Sequence, residues 1–258
     1  MQPDISEFSY GFALTDELIR SRRLRGLGAP TFPNLVQEGG LGYDVQLPGT
    51  PVFLQFKLSD PMVRTSARES HLLGVPYYRM HLRRRDISDQ HKLLLELENQ
   101  GSIVLYACPE FHTAADLNVA FDTQSVVHSS AFWRPSDIGH LSDDDPHYIA
   151  FLPNAHHGYY CSEPRRIDKH SAPMAFKEPS PRLRDRRRVI RPEPPVLAKF
   201  ADELIDLYAA TVEPSKRPLA DIARKAAEGR SPGDYARAVA QTLFDCLLAV
   251  SVFDDNAA

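Results

Sequence analysis

The sequence predicts an α/β fold, with a central mixed sheet flanked by helices and a small helical C-terminal region. Three observations predict it. Short runs rich in Val, Ile, Tyr and Phe recur between residues 35 and 162, a helical stretch interrupts them at residues 89–99, and apolar residues at helical spacing dominate after residue 196. With 258 residues, 43% apolar and 25% charged, the chain can bury a sizeable core and has the composition of an ordinary globular protein.

The elements follow in order. An N-terminal helix carries Ile5, Phe8, Phe12 and Ile19 on one side, the stripe expected to face the core. Strand-like runs come next at residues 35–38, 41–47, 52–58, 77–82 and 103–108. The helix at 89–99 starts after Ser88, a capping hydroxyl, and stops before Gly101. Further strand-like runs lie at 126–133, 148–152 and 159–162. Seven prolines and a dense arginine cluster between Glu163 and Pro195 mark a connector, so the expected organisation is an α/β domain over residues 1–165, a Pro/Arg-rich linker over 166–196 and a helical region over 197–258. In that region Leu197, Phe200, Ala201, Leu204 and Tyr208 form one helical stripe, and Ala236, Val239, Ala240, Leu243, Leu247 and Val250 another. Pro218 and Pro232 suit first-turn positions, with Gly229 ending the helix between them.

A formal net charge of −4 means that a nucleic-acid partner would have to bind through a local basic patch. Arg20, Arg22, Arg23 and Arg25 offer one, Arg83, Arg84 and Arg85 a second, and six arginines between Arg182 and Arg191 a third. Three cysteines, Cys108, Cys161 and Cys246, make no disulfide framework and point to a reducing, cytoplasmic setting. Asp4 and Glu7 stand where a signal peptide would be basic, and the longest apolar stretch, residues 243–253, is interrupted by Asp245 and too short to span a bilayer. No membrane role is expected.

Pro48-Gly49-Thr50-Pro51 is a turn signal between two β-rich runs, and symmetric closure pairs Leu47 with Val52 and Asp44 with Gln55. Because side chains alternate along a strand, one face of this hairpin is wholly apolar and the other holds Gly42, Asp44, Gln46, Phe53, Gln55 and Lys57. Asp44 offers a hard oxygen to a divalent cation and the Gln55 carbonyl a second, neutral one, with Mg²⁺ the natural occupant and Mn²⁺ its substitute. Such a cation polarises a phosphodiester and acidifies a bound water, while Lys57 can orient that water and neutralise the transition state.

Asp44 followed on the next strand by Gln55-Phe56-Lys57 resembles the PD-(D/E)XK nuclease superfamily, in the glutamine variant found in type IV restriction and phage-defence nucleases. The resemblance covers roughly residues 5–110 and implies a restriction-endonuclease-like core of helix, three strands, helix and strand. It departs from the fullest pattern at Tyr43, where a proline is usual, and at Gln55, where an acid is usual. One acid fewer leaves room for another carboxylate, and Glu17 and Glu38 are the candidates. Gln90 and His91 open the helix that the resemblance puts beside the site, and Arg64 and Arg68 just beyond the hairpin are candidates for holding the nucleic-acid backbone.

Other constellations are weaker. Cys108 with His112 and His157 with Cys161 lack zinc-finger spacings, and Asp143, Asp144 and Asp145 beside His147 read more simply as an acidic turn. No Gly-x-Ser-x-Gly elbow, Walker loop or dinucleotide fingerprint occurs. The expectation is a Mg²⁺-dependent DNA nuclease, in a setting of anti-phage defence that the resemblance alone implies, with a protein partner or homodimer contact through the C-terminal helices. The alternative is a catalytically inactive nuclease-fold subunit that binds nucleic acid or protein.

Overall fold

The structure is a computed structural model and describes residues 2–21, 24–25, 51–171, 175 and 194–251. It is mixed α/β. Among the described residues the strands are β1 (Leu24–Arg25), β2 (Pro51–Phe56), β3 (Ser59–Met62), β4 (Tyr77–His81), β5 (Ile103–Pro109), β6 (Ser130–Trp133), β7 (Tyr148–Phe151), β8 (His157–Tyr160), β9 (Arg165–Asp168) and β10 (Leu247–Ser251). The helices are α1 (Glu7–Arg20), α2 (Ser70–Leu73), α3 (Gln90–Asn99), α4 (Ala114–Asp122), α5 (Pro135–Ile138), α6 (Pro194–Thr211), α7 (Pro218–Ala227) and α8 (Pro232–Phe244). One sheet runs β1-β10-β2-β5-β6 and the other β3-β4-β7-β8-β9. The chain divides into two compact units: the first comprises Met1–Ser21, Phe56–His91 and Leu105–Ala175, the second Arg22–Gln55, Lys92–Val104 and Phe176–Ala258.

In the first unit, α1 begins at Ser6, whose Oγ accepts the Ser9 N–H at 2.9 Å. The helix buries Tyr10, Gly11, Ala13, Leu14, Thr15 and Leu18. This corrects the predicted stripe: Phe8 and Phe12 are 55% and 43% exposed. Close approach decides it. A Cβ on Gly11 would stand 2.9 Å from Phe56 Cδ2, so the helix can settle on Phe56 only along the side that has no side chain there. Tyr10 meets Phe56 edge-on at 6.1 Å and its hydroxyl donates to Ser130 Oγ at 2.8 Å. The predicted run at 126–133 forms a strand only from Ser130, and α4, which periodicity did not announce, starts at Thr113, whose Oγ1 accepts the Asp116 N–H at 3.1 Å. Strands β3, β4, β7, β8 and β9 form an antiparallel sheet throughout, with Ser59 opposite Met80, Met80 opposite Ile149 and Ile149 opposite Tyr160. That row is fully buried and defines the core face.

In the second unit, Leu197, Phe200, Ala201, Leu204 and Tyr208 of α6 are buried, as their spacing predicts. Pro218 and Pro232 occupy first-turn positions of α7 and α8. The second predicted stripe needs correction, because Leu247 and Val250 lie in a strand and not in a helix. Asp245 takes a left-handed conformation, φ 53°, and stops α8. The chain then pairs antiparallel with β2, Leu247 opposite Leu54 and Ala249 opposite Val52. A continuous apolar run suits a doubly covered strand as well as a buried helix, and periodicity cannot separate them.

Candidate active site

Strand β2 is made of Pro51, Val52, Phe53, Leu54, Gln55 and Phe56, and its β-branched and aromatic residues favour extended backbone. It has β10 on one side and β5 on the other, and every residue from Pro51 to Gln55 is buried. The ladder with β10 covers Pro51 to Leu54, while the predicted pairing of Leu47 with Val52 involves a residue outside those described. Asp44 and Glu38, with the rest of the predicted hairpin's first arm, lie outside the described residues.

Within β2 the predicted alternation is present, but both faces are covered. Phe56 faces Tyr10 and Gly11 of α1. Phe53, on the side predicted to be polar, lies 6.4 Å from the Phe200 ring and 6.5 Å from that of Phe244. Gln55 shares that side by strand alternation, is 4% exposed, and accepts a long, weak bond at 3.8 Å from the Cys246 thiol through Oε1. Lys57 is 5% exposed, and its backbone N–H donates to the Ala107 carbonyl of β5 at 2.9 Å, carrying the contact one residue beyond β2. The amide at the end of the central strand β2 and the ammonium one residue beyond it are thus two residues apart, and both residues are buried.

The supporting residues divide. Glu17 is half-buried and its carboxylate accepts the Val127 N–H at 3.1 Å, which gives it a structural task. Gln90 and His91 start α3 as expected, but both are buried. Both ring nitrogens of His91 are taken, Nδ1 by the Tyr106 hydroxyl at 2.8 Å and Nε2 by the Gly139 carbonyl at 2.7 Å. Burial lowers its pKa to about 4, against the raising effect of that carbonyl. His91 is therefore a neutral, structural imidazole and does not present a donor to phosphate. Arg64 and Arg68 are exposed, between β3 and α2.

The structure also gathers a cluster that the sequence did not announce. Glu69 is 5% exposed; its Oε2 accepts from the Tyr77 hydroxyl at 2.8 Å and from Arg79 Nε at 3.0 Å, and its Oε1 accepts from the Tyr148 hydroxyl at 2.7 Å. The Arg79 guanidinium lies over the Tyr148 ring, 4.8 Å from its centroid. Burial alone would raise the Glu69 pKa, but the bonds from Tyr148, Arg79 and Tyr77 outweigh it and hold the carboxyl below its ordinary range. The one available signal was the alternation of Tyr77 and Arg79 on a strand; Tyr148 is 79 residues from Glu69. With its acceptors met, this carboxylate ties a loop to the sheet.

Among the described residues no group of three or more His, Cys, Asp or Glu could hold a metal ion. Cys108 is buried with its pKa pushed up to about 12 by burial, and His112 is hydrogen-bonded to Tyr78, so neither offers itself to zinc. Of the two predicted Mg²⁺ donors only Gln55 is described, and its amide oxygen is the right kind of hard ligand. Among the described residues no helix is long and apolar enough to cross a membrane. No protein-family model, no curated protein and no solved structure matches this chain.

Proposed function

We propose that this chain is a metal-dependent nuclease of the PD-(D/E)XK type with a restriction-endonuclease-like core, cutting DNA in the cytoplasm, with Asp44 and Gln55 as Mg²⁺ ligands and Lys57 as the catalytic cation. One observation carries the reading: Gln55 on the central strand β2 and Lys57 one residue beyond its end hold an amide oxygen and an ammonium group two residues apart, 4% and 5% exposed. A neutral oxygen ligand beside a cation is what phosphodiester hydrolysis needs.

When bound, the cation would polarise the phosphodiester and acidify a water. Gln55 contributes a neutral amide oxygen and Asp44 the charge of the donor set. Lys57 donates to the attacking water and to the phosphate oxygens on which charge develops, and its desolvated position strengthens that interaction. Arg64 and Arg68, exposed on their loop, contact backbone phosphates. Glu17 and His91 are left out because their side chains are engaged elsewhere. Defence against foreign DNA is the setting we propose.

The test is cleavage of supercoiled and linear DNA with Mg²⁺, Mn²⁺ or EDTA. The expected result is cutting that EDTA abolishes and that Asp44→Asn and Lys57→Met each remove; full cleavage by Asp44→Asn would refute the reading. Gln55, standing where an acid would complete the donor set, favours one second reading, a nuclease-fold subunit that binds nucleic acid or protein without cutting. Calorimetry distinguishes it, because such binding needs neither Asp44 nor a divalent cation.

A further inference from the structure

The apolar stripes of α6 and α8 are buried within the second unit, where Phe200 and Phe244 lie against Phe53, and Ile222 of α7 is exposed there. Among the described residues the first unit exposes more large apolar side chains. On α1, Phe8 and Phe12 are 55% and 43% exposed, and on α4, Val119 and Phe121 are 63% and 38% exposed. The Phe12 and Phe121 rings lie 6.3 Å apart and Phe8 lies one turn from Phe12, so these three rings form one patch, with Val119 on another side of α4. Three exposed aromatic side chains together in water mark an interaction surface.

Charge around the patch narrows the partner. Asp116 and Asp122 lie one turn to either side of Val119, and Asp16 lies one turn beyond Phe12. Across both helices the acids are Glu7, Asp16, Glu17, Asp116 and Asp122, and the one base is Arg20, which pairs with Asp16. A cleft of about 280 Å³ opens beside Val119, lined by Glu110, Asp116, Ser125 and Asn154 among others. Glu110 is already ion-paired with Lys169, whereas the carboxylate of Asp116 is exposed and accepts from the Thr113 hydroxyl at 2.6 Å. Such a surface repels phosphate and suits a cationic segment with apolar anchors. Residues 182–191 have that composition: six arginines against one acid, Asp185, with Leu183, Val189 and Ile190 between them.

We propose that the α1/α4 face receives the Arg182 to Arg191 run of a second copy of this chain. Each copy supplies one face and one run, so the arrangement closes as a two-fold dimer. The exposed phenylalanines supply the apolar contact and the aspartates the charge contact.

Sedimentation velocity of the full chain tests this. The wild type should pass from monomer to dimer over a roughly hundredfold rise in concentration, and added salt should weaken the dimer. Phe8→Ser with Phe12→Ser should weaken association by about tenfold or more, as should Arg186→Glu, Arg187→Glu and Arg188→Glu together. Mixing the two variants should restore part of it, because one intact face then meets one intact run. Phe8 and Phe12 are exposed, so their loss leaves the core in place, which a melting curve checks. A monomer at every concentration, or a dimer indifferent to both variants, overturns the proposal. It is also overturned if the arginine variant loses DNA binding while self-association is unchanged, since the run then serves nucleic acid.

Discussion

Two sets of buried polar side chains lie at different sheets of this protein, and they differ in the chemistry of their groups. Glu69 joins Tyr77, Arg79 and Tyr148, and its carboxylate receives hydrogen bonds from all three. Its burial is accounted for by the loop it fastens to the antiparallel sheet. Gln55 lies on the central strand of the other sheet and Lys57 one residue beyond its end, both buried, and under the proposed function the first is a metal ligand and the second a phosphate-binding cation. Burial of polar groups is therefore no mark of function by itself. What distinguishes the pairs is the chemistry of the groups and the segment they adjoin.

The largest expected effect separates the two directly. Lys57→Met should lower metal-dependent cleavage by about a hundred- to a thousandfold, as loss of a preorganised charge at a transition state does, whereas Glu69→Gln should leave cleavage unchanged. Equal losses in both would erase the distinction. Next, Glu69→Ala should lower the unfolding free energy in urea by about 3 to 5 kcal/mol, because Arg79 then keeps a charge without its counterion.

The acid limb of stability sharpens the comparison further. His91 has a folded pKa of about 4, below its ordinary value of 6.5, so the unfolded chain takes up a proton that the folded chain refuses. Stability should therefore fall as pH drops from about 6.5 towards 4, by about 3 kcal/mol in total. The His91 Cε1 proton resonance should show no titration between about pH 7 and pH 5. Glu69 acts at lower pH and in the usual sense for a depressed carboxylate. Its contribution is present above its unfolded pKa and lost as pH falls through its folded one, and Glu69→Gln should remove that last part of the acid transition. The smallest effect is a control remote from both sets. Ser231→Ala should cost about 1 kcal/mol, since Ser231 Oγ accepts the Asp234 N–H at the start of α8.

Much of the fold was legible where one local rule spoke alone. The runs at 52–58, 77–82, 103–108 and 148–152 each contain a strand, and the helix at 89–99 is α3 to within a residue, with Ser88 Oγ accepting the Gln90 N–H at 3.2 Å. Errors came where two local rules gave the same pattern. Phe8 and Phe12 make as good an apolar stripe as Tyr10, Leu14 and Leu18, and only the approach of Phe56 to Gly11 selects between them. Leu247 and Val250 fit a helix by spacing and a strand by composition, and β2, nearly two hundred residues earlier, supplied the deciding partner. At the site, the spacing of Gln55 and Lys57 was legible, but the packing of Phe53, on the same side of β2 as Gln55, against α6 and α8 was not.

By itself, the sequence determined the α/β class, strands β2, β4, β5 and β7, the start of α3 after Ser88, the first-turn prolines of α7 and α8, and the Gln55-Phe56-Lys57 spacing, because these depend on neighbours a few residues apart. Tertiary structure alone decided which stripe of α1 is buried, that the end of the C-terminal region returns to β2 as a strand, that His91 is neutral, and that Glu69 meets Tyr148. Each depends on packing or desolvation by segments far away in the chain, and no local pattern records those.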